Sequence, residues 1–156
     1  MKAVMISIQP QWVEKILKGE KNVEVRKTAP KLETPFKCYI YETQGKTDVP
    51  WVDEEGHMIF RGRGMVVGEF VCDCIGTYWF LPGDTEIEEC EDVQRACLSS
   101  KEILEYADNK ELHFWNISNL KVYEKPKVLN DFVLANSQHF CHLQRPPQSW
   151  CYVEEL

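Results

Sequence analysis

Residues 19–27, "GEKNVEVRK", place a glycine directly before a short charged stretch that contains two valines. In an extended chain, successive side chains point to opposite faces. Val23 and Val25 would then face one side of a strand. Glu24 and Arg26 would face the other side as close neighbours. The pattern therefore predicts a strand with one core face and one charged face, which forms either a solvated surface or the floor of a polar cleft.

The hydrophobic pattern around this stretch predicts two main helices and six strands. Pro10 suits the first turn of a helix at 10–18, and Gly19 supplies the left-handed residue that ends it. Trp12 lies on the apolar face of this helix, where we expect it to join the core. A second helix is predicted at 99–107, "SSKEILEYA", capped by one of its leading serines. The strands are predicted at 2–8, 22–27, 36–43, 65–76, 113–124 and 149–155.

The order of these elements predicts the fold class. Strands and helices do not alternate as they would in a parallel α/β protein, so a mostly antiparallel sheet is favoured. Gly68 within a strand indicates a bulge or a barrel corner, and Pro126 is expected to end a strand. Residues 44–64 indicate a long loop or a loose hairpin tip. We predict an α+β fold in one domain, 1–156: a small, mostly antiparallel β-barrel of about six strands with two flanking helices.

The charge distribution limits the kinds of partner that the chain can bind. The net charge is −7, but residues 1–64 carry 11 Lys/Arg and 9 Asp/Glu, whereas residues 65–156 carry 7 and 16. A polyanion would be attracted to the N-terminal half and repelled by the rest. Residues 84–92, "DTEIEECED", are expected to be a solvated acidic loop. No apolar run reaches the roughly 18 residues of a membrane span and the start does not resemble a signal peptide, so we expect a cytoplasmic protein without a membrane partner.

Seven cysteines are present, an odd number without a C-x-x-C pair, so no disulfide framework is expected. Cys72 and Cys74 are predicted to share one strand face as buried thiols. Cys141 lies in "HFCH" (139–142), which together with Cys151 could offer zinc ligands. The paired spacing of a zinc ribbon is missing, so the prediction is no metal and no cofactor.

The motif Gly19-x-Lys21-x-x-Glu24-x-Arg26 resembles the signature of the ASCH domain family, which belongs to the PUA-like β-barrel superfamily. A strand, a proline-initiated helix and the motif strand follow in the family's order across residues 7–27. The stretches "VVGEFVC" and "RPPQSWCYV" also resemble those of small bacterial and phage ASCH proteins. The resemblance implies a PUA-like barrel whose ligand is RNA, a nucleotide or a modified nucleoside.

One ASCH subfamily resembles an amidohydrolase that removes an acetyl group from acetylcytidine with a lysine, a threonine and a glutamate. By position the lysine corresponds to Lys21, and the threonine position holds Glu24. The subfamily's glutamate has no assigned counterpart. This departure favours a binding module. The alternative is an amidohydrolase on an acylated nucleoside, in which Lys21 is central and Glu24 is the second catalytic candidate.

Elementary chemistry gives each charged motif residue a role in binding. Arg26 can make a planar two-donor contact with a phosphate or carboxylate, and Lys21 can position a phosphate or act as a base. Glu24 can hold either cation or accept a hydrogen bond from a base amine. The alternative is an ion-pair network without a ligand. For a site on one concave surface, Arg26→Ala should remove binding at little cost in stability.

Aromatic residues supply further candidate contacts. Trp115 and Trp150 begin late strands beside polar residues, where a ring could either stack on a base or pack in the core. Gln148 and Ser149 precede Trp150 and complete the predicted ligand contacts. Candidate lid contacts from the long loop are Trp51, Arg61 and Arg63.

The sequence therefore predicts an ASCH-like domain, favoured as a monomer, that binds RNA or a nucleotide or nucleoside at its motif. A hydrolase acting on a modified nucleoside is the alternative. A third hypothesis is a protein-interaction module that uses the acidic half of the chain.

Overall fold

The computed structural model describes residues 1–52, 55–84, 87, 90–135 and 141–156, without the side chains of 46–49, 51 and 60. The helices in this part are α1 (Pro10–Leu17), α2 (Glu91–Ala96) and α3 (Ser100–Ala107), with a 3₁₀ turn at Leu129–Asp131. The strands are β1 (Lys2–Ile8), β2 (Val23–Arg26), β3 (Phe36–Glu42), β4 (Lys46–Val52), β5 (Met58–Arg61), β6 (Met65–Cys72), β7 (Ile75–Tyr78), β8 (Leu112–Asn116), β9 (Ser118–Lys127) and β10 (Trp150–Glu154). None of the described helices is long and apolar enough to cross a membrane.

Three sheets form the β-structure of the described residues. A five-stranded sheet has the order β10-β1-β3-β6-β9, a three-stranded sheet the order β2-β8-β7, and β4 pairs with β5. The strand pairs are antiparallel except for the parallel pair β1–β3. The predicted β-rich, mostly antiparallel α+β fold is confirmed. The described sheets are not closed into a barrel.

Two predicted strands are each divided in two, and β4 and β5 form a hairpin within 44–64, so the described residues contain ten strands instead of six. The strand predicted at 65–76 is divided into β6 and β7, and the strand predicted at 113–124 into β8 and β9. Cys72 is buried but Cys74 is exposed, so the prediction of two buried thiols was wrong for Cys74. The reason is that β6 ends at Cys72, where the alternation of faces ends with it.

The prediction that Pro126 ends a strand was also wrong, because β9 extends to Lys127. β9 is an edge strand of the five-stranded sheet. An edge strand can accommodate a proline, because the missing amide hydrogen can face the unpaired edge of the sheet. Helix α2 was not predicted. Its first two residues, Glu91 and Asp92, are the last two of the acidic run 84–92, whose charge pattern indicated only a solvated loop.

Helix α1 has a buried face formed by Pro10, Val13 and Ile16, and the last two pack in the core cluster that holds residues of β1, β3 and β6. Gly19 has φ of +76°, the left-handed conformation that ends the helix, as predicted. The chain then enters β2, whose Val23 and Val25 are 1% and 6% exposed. Both valines pack in a core cluster with residues of α2, α3 and β8, so the predicted core face of the motif strand is confirmed.

Gly68 allows two strands to approach closely. The pairing shifts beside it in both ladders, as expected for a bulge. A Cβ atom added at this position would lie 2.7 Å from the carbonyl O of Lys121 in β9. A side chain there must push the edge strand away.

We therefore expect Gly68→Ala to lower the free energy of unfolding by about 1–3 kcal/mol, the usual effect of overpacking. Gly45→Ala is the matched control, because its Cβ would lie at an ordinary 3.7 Å from Thr43 Oγ1. The measurement is urea denaturation of both variants. Equal stabilities would contradict the close approach of β6 and β9.

Candidate functional site

A cavity of about 500 Å³ opens where α1, β2, α3 and residues 146–148 meet. Apolar and polar residues line it in nearly equal number. The apolar lining residues are Ile8, Trp12, Val25, Leu98, Tyr106, Pro146 and Pro147. The polar lining residues are Ser7, Gln9, Lys21, Glu24, Arg26, Thr43, Glu102 and Gln148.

Glu24 lies at the centre of the charged group in this cavity. Its side chain is 8% exposed, and Oε1 is 3.0 Å from Arg26 Nη2. Oε2 is 3.5 Å from Lys21 Nζ. Alternation along β2 turns Glu24 and Arg26 away from the valine core, as the motif pattern indicated. The carboxylate is therefore flanked by two cations.

Lys21 is almost completely buried, with 2% of its side chain exposed. Its Nζ donates a 2.6 Å hydrogen bond to the carbonyl O of Ala96, the last residue of α2, and lies 5.3 Å from the centroid of the Trp12 ring. Burial lowers the pKa of Lys21, and the nearby carboxylate of Glu24 opposes that shift. Lys21 thus binds the end of α2 from a position beneath the cavity.

Arg26 connects β2 to β1 and to the chain before β10. Nη2 donates to the carbonyl O of Ser7 at 2.7 Å and pairs with Glu24, and Nη1 donates to Ser149 Oγ at 3.3 Å. Nε is buried and has no hydrogen-bond partner among the described residues. Both terminal nitrogens therefore already have protein partners. The guanidinium does not offer a free two-donor edge to a phosphate.

The second carboxylate of the cavity, Glu102, also caps α3. Its Oε2 accepts from the amide N of Ser99 at 2.8 Å and from Ser99 Oγ at 2.9 Å. These hydrogen bonds lower the pKa of Glu102. One turn later, Tyr106 lines the cavity, and Lys27 Nζ lies 4.9 Å from its ring centroid. The capping box of α3 fixes this wall.

Residues 146–148 form the opposite wall and are attached to β1. Ser7 Oγ donates to the carbonyl O of Pro147 at 2.7 Å, and Ser7 N donates to the carbonyl O of Ser149 at 2.9 Å. Gln148 lines the cavity between these two attachments. Ser149 does not line it, but contacts Arg26 and so positions the guanidinium.

The two tryptophans predicted to contact a ligand lie elsewhere. Trp115 is 0% exposed and packs in the main core, with Phe36 and Trp150 each 6.0 Å away between ring centroids. Trp150 is partly buried, and its Nε1 donates to Thr28 Oγ1 at 3.0 Å. The interpretation of these rings as stacking platforms is therefore corrected in favour of packing. β8 is the central strand of its sheet, and Trp115 projects from it into the main core cluster.

Sequence reasoning missed the aromatic residues that do line the cavity, Trp12 and Tyr106. Trp12 was predicted to be core, and it is partly buried against the core while its other side meets the cavity. Its position at the start of the helix before the motif was the available signal. Tyr106 gave no such signal, because only tertiary packing brings α3 over β2.

Two of the three candidate lid residues, Arg61 and Arg63, do not line the cavity. The side chain of Trp51 lies outside the described part of the structure, and Arg61 is exposed. Arg63 pairs with Glu42 through Nη1 at 2.9 Å, and its backbone N donates to the same carboxylate at 2.7 Å. Glu42 is 1% exposed, and burial raises its pKa. Arg63 therefore anchors the base of the β4–β5 hairpin.

The region considered for zinc is only partly described, since His139 lies outside the described residues. His142 Nδ1 donates to the carbonyl O of Asn130 at 2.6 Å. Burial raises the pKa of Cys151 to about 11. Among the residues that the structure describes, no group of three or more His, Cys, Asp or Glu side chains could hold a metal ion.

Comparison with solved structures identifies the fold. No family model matches the sequence, and no curated protein matches it either. The ASCH protein of Zymomonas mobilis is similar over 98% of this chain and 88% of its own, with a TM-score of 0.65 and 20% identity. Two single-substitution variants of that protein also match, each with a TM-score of 0.63. The first is 17% identical and the match covers 98% of this chain and 89% of its own. The second is 18% identical and the match covers 99% of this chain and 92% of its own. The chain has the ASCH-domain fold.

The contacts of Arg26 change the expected effect of removing it. Arg26→Ala would leave Glu24 with only one cation and the carbonyl O of Ser7 without its donor. Breaking a buried ion pair in this way costs about 3 kcal/mol or more, so these contacts predict a larger loss of stability than the local sequence pattern did. Denaturation should show this loss, whereas Lys18→Ala, an exposed partner of Glu14, should leave the midpoint unchanged. Equal midpoints for both variants would contradict the network.

Proposed function

We propose that the cavity binds a nucleobase, presented either by RNA or by a free or modified nucleoside. The observation that carries this proposal is the convergence of Lys21, Glu24 and Arg26 on one cavity of about 500 Å³. This volume is within the range of small-molecule sites, which combine apolar walls with a few convergent polar groups. The fold is that of ASCH proteins, and the motif that lines the cavity resembles the family signature. Both support the proposal of a nucleobase as the ligand and of this cavity as its site.

The apolar lining suits a flat ring. Trp12 and Tyr106 come from different helices, and Pro146 and Pro147 come from the segment that faces them. Aromatic side chains stack on bases with little dependence on sequence, and such stacking contributes about 1–3 kcal/mol per base. Polar groups on the floor would then contact the edge of the ring. Walls that stack and a floor that hydrogen-bonds are what recognition of an unstacked base requires.

Stacking on Trp12 gives the proposal its first test. Trp12→Leu keeps an apolar side chain on α1 but removes the ring, so nucleoside affinity should fall about 5- to 150-fold. Trp79→Leu is the matched control, because Trp79 is 74% exposed and does not line the cavity. Calorimetric titration with the common ribonucleosides measures both. Unchanged affinity in Trp12→Leu, or no nucleoside binding by the unaltered protein, would reject the proposal.

A second candidate function is hydrolysis of an acylated nucleoside. The lowered pKa of the buried Lys21 favours it, because a lysine with a depressed pKa can act as a base near neutral pH. The neutral amine would take a proton from the attacking water, and the amide nitrogen would leave with a proton. However, Lys21 Nζ already donates to Ala96 O and contacts Glu24, an arrangement that suits a structural ammonium. We therefore place binding before hydrolysis.

Incubation with a panel of acylated nucleosides separates the two functions. For a binding protein, chromatography should detect no release of the acyl group. A hydrolase should instead release it at a rate that increases as pH rises through the lowered pKa of Lys21, because the neutral amine is then the active form. Turnover that shows this dependence and disappears in Lys21→Arg would reverse the order of the two proposals.

A further inference from the structure

The hydrogen-bonding capacity left on Glu24 indicates which base edge the cavity can take. A carboxylate has about four acceptor positions, two on each oxygen. One position on Oε1 is directed to Arg26, and Oε2 contacts Lys21. Each oxygen therefore keeps one position for another donor. Glu24 lines the cavity with 8% of its side chain exposed, so these acceptors are the ones that a ligand bound against it would meet.

Donors on the cavity floor are mostly occupied. Lys21 Nζ binds Ala96 O, and Arg26 uses Nη2 for Ser7 O and Glu24 and Nη1 for Ser149. A phosphate group needs several donors and no nearby negative charge. Arg26 keeps only Nε–H, which is buried, and one Nη1–H, and Glu102 adds a second carboxylate to the lining. The charged floor is therefore suited to a ligand that donates hydrogen bonds, and not to an anion.

Building on the proposed function, we infer that the cavity selects a base with two adjacent N–H donors, the edge that guanine presents through N1–H and its 2-amino group. Such an edge can bind both oxygens of Glu24 in parallel, with two charge-assisted hydrogen bonds. Adenine and cytosine place one amino donor beside a ring acceptor, which would face a carboxylate lone pair. Uracil has a single N–H between two carbonyl groups. The two cations hold Glu24 in place before binding, which reduces the cost of ordering it.

The test is calorimetric titration of the unaltered protein with guanosine, inosine, adenosine and cytidine. Guanosine should bind most tightly. Inosine lacks only the 2-amino group, and the loss of one hydrogen bond to a charged acceptor should weaken binding about tenfold or more. Inorganic phosphate should not compete with guanosine. Inosine binding as tightly as guanosine, tighter binding of adenosine or cytidine, or competition by phosphate would each overturn the inference.

These outcomes also separate the inference from the function on which it rests. If adenosine or cytidine binds best, and Trp12→Leu weakens that binding, the cavity binds a base and only the guanine preference is wrong. If no nucleoside binds, both are wrong. Glu24→Gln replaces one acceptor oxygen with a donor and should abolish the difference between guanosine and inosine. Glu105→Gln is the control: it removes an equal charge from α3 outside the cavity lining and should preserve that difference. If Glu24→Gln does not fold, the titration of the unaltered protein alone tests the guanine preference.

Discussion

The carboxylate of Glu24 between Lys21 and Arg26 is the constraint on which the arrangement of the cavity depends. Through Lys21 the group holds the last carbonyl of α2, and through Arg26 it holds the backbone of Ser7 in β1. Three separate elements thus meet at one buried set of charges. Such charges are costly to remove from water and are tolerated only when each has a partner, so the loss of one partner destabilises the others.

The same group lines the cavity, so structure and proposed binding use the same side chains. Most N–H groups of Arg26 donate to acceptors of the protein itself, and Lys21 is almost fully buried beneath the ring of Trp12. What remains for a ligand is the acceptor capacity of Glu24 and the apolar walls. A site of this kind is rigid before the ligand arrives, because its polar groups are already fixed by one another. Stability and recognition should therefore be difficult to separate by substitution of these residues.

Much of the local structure around the motif could be predicted from sequence patterns. The alternation of Val23 and Val25 with Glu24 fixed the faces of β2, and Gly19 ended α1 as expected. What failed depended on contacts distant in sequence. The burial of Trp115 and the arrival of α3 over β2 follow from sheet order and helix packing, which no local period encodes. The partner of Arg26 on β1, the carbonyl O of Ser7, was equally hidden from the local pattern.

A crystal structure of the protein with guanosine would test the central claim most directly. If Glu24, held by its two cations, is the group that receives the ligand, the base should lie in the cavity with N1 and the 2-amino nitrogen each about 2.7–3.2 Å from a carboxylate oxygen of Glu24. The ring should contact Trp12 or Tyr106. A nucleoside bound outside the cavity, or one inside it that turns this edge away from Glu24, would contradict the account.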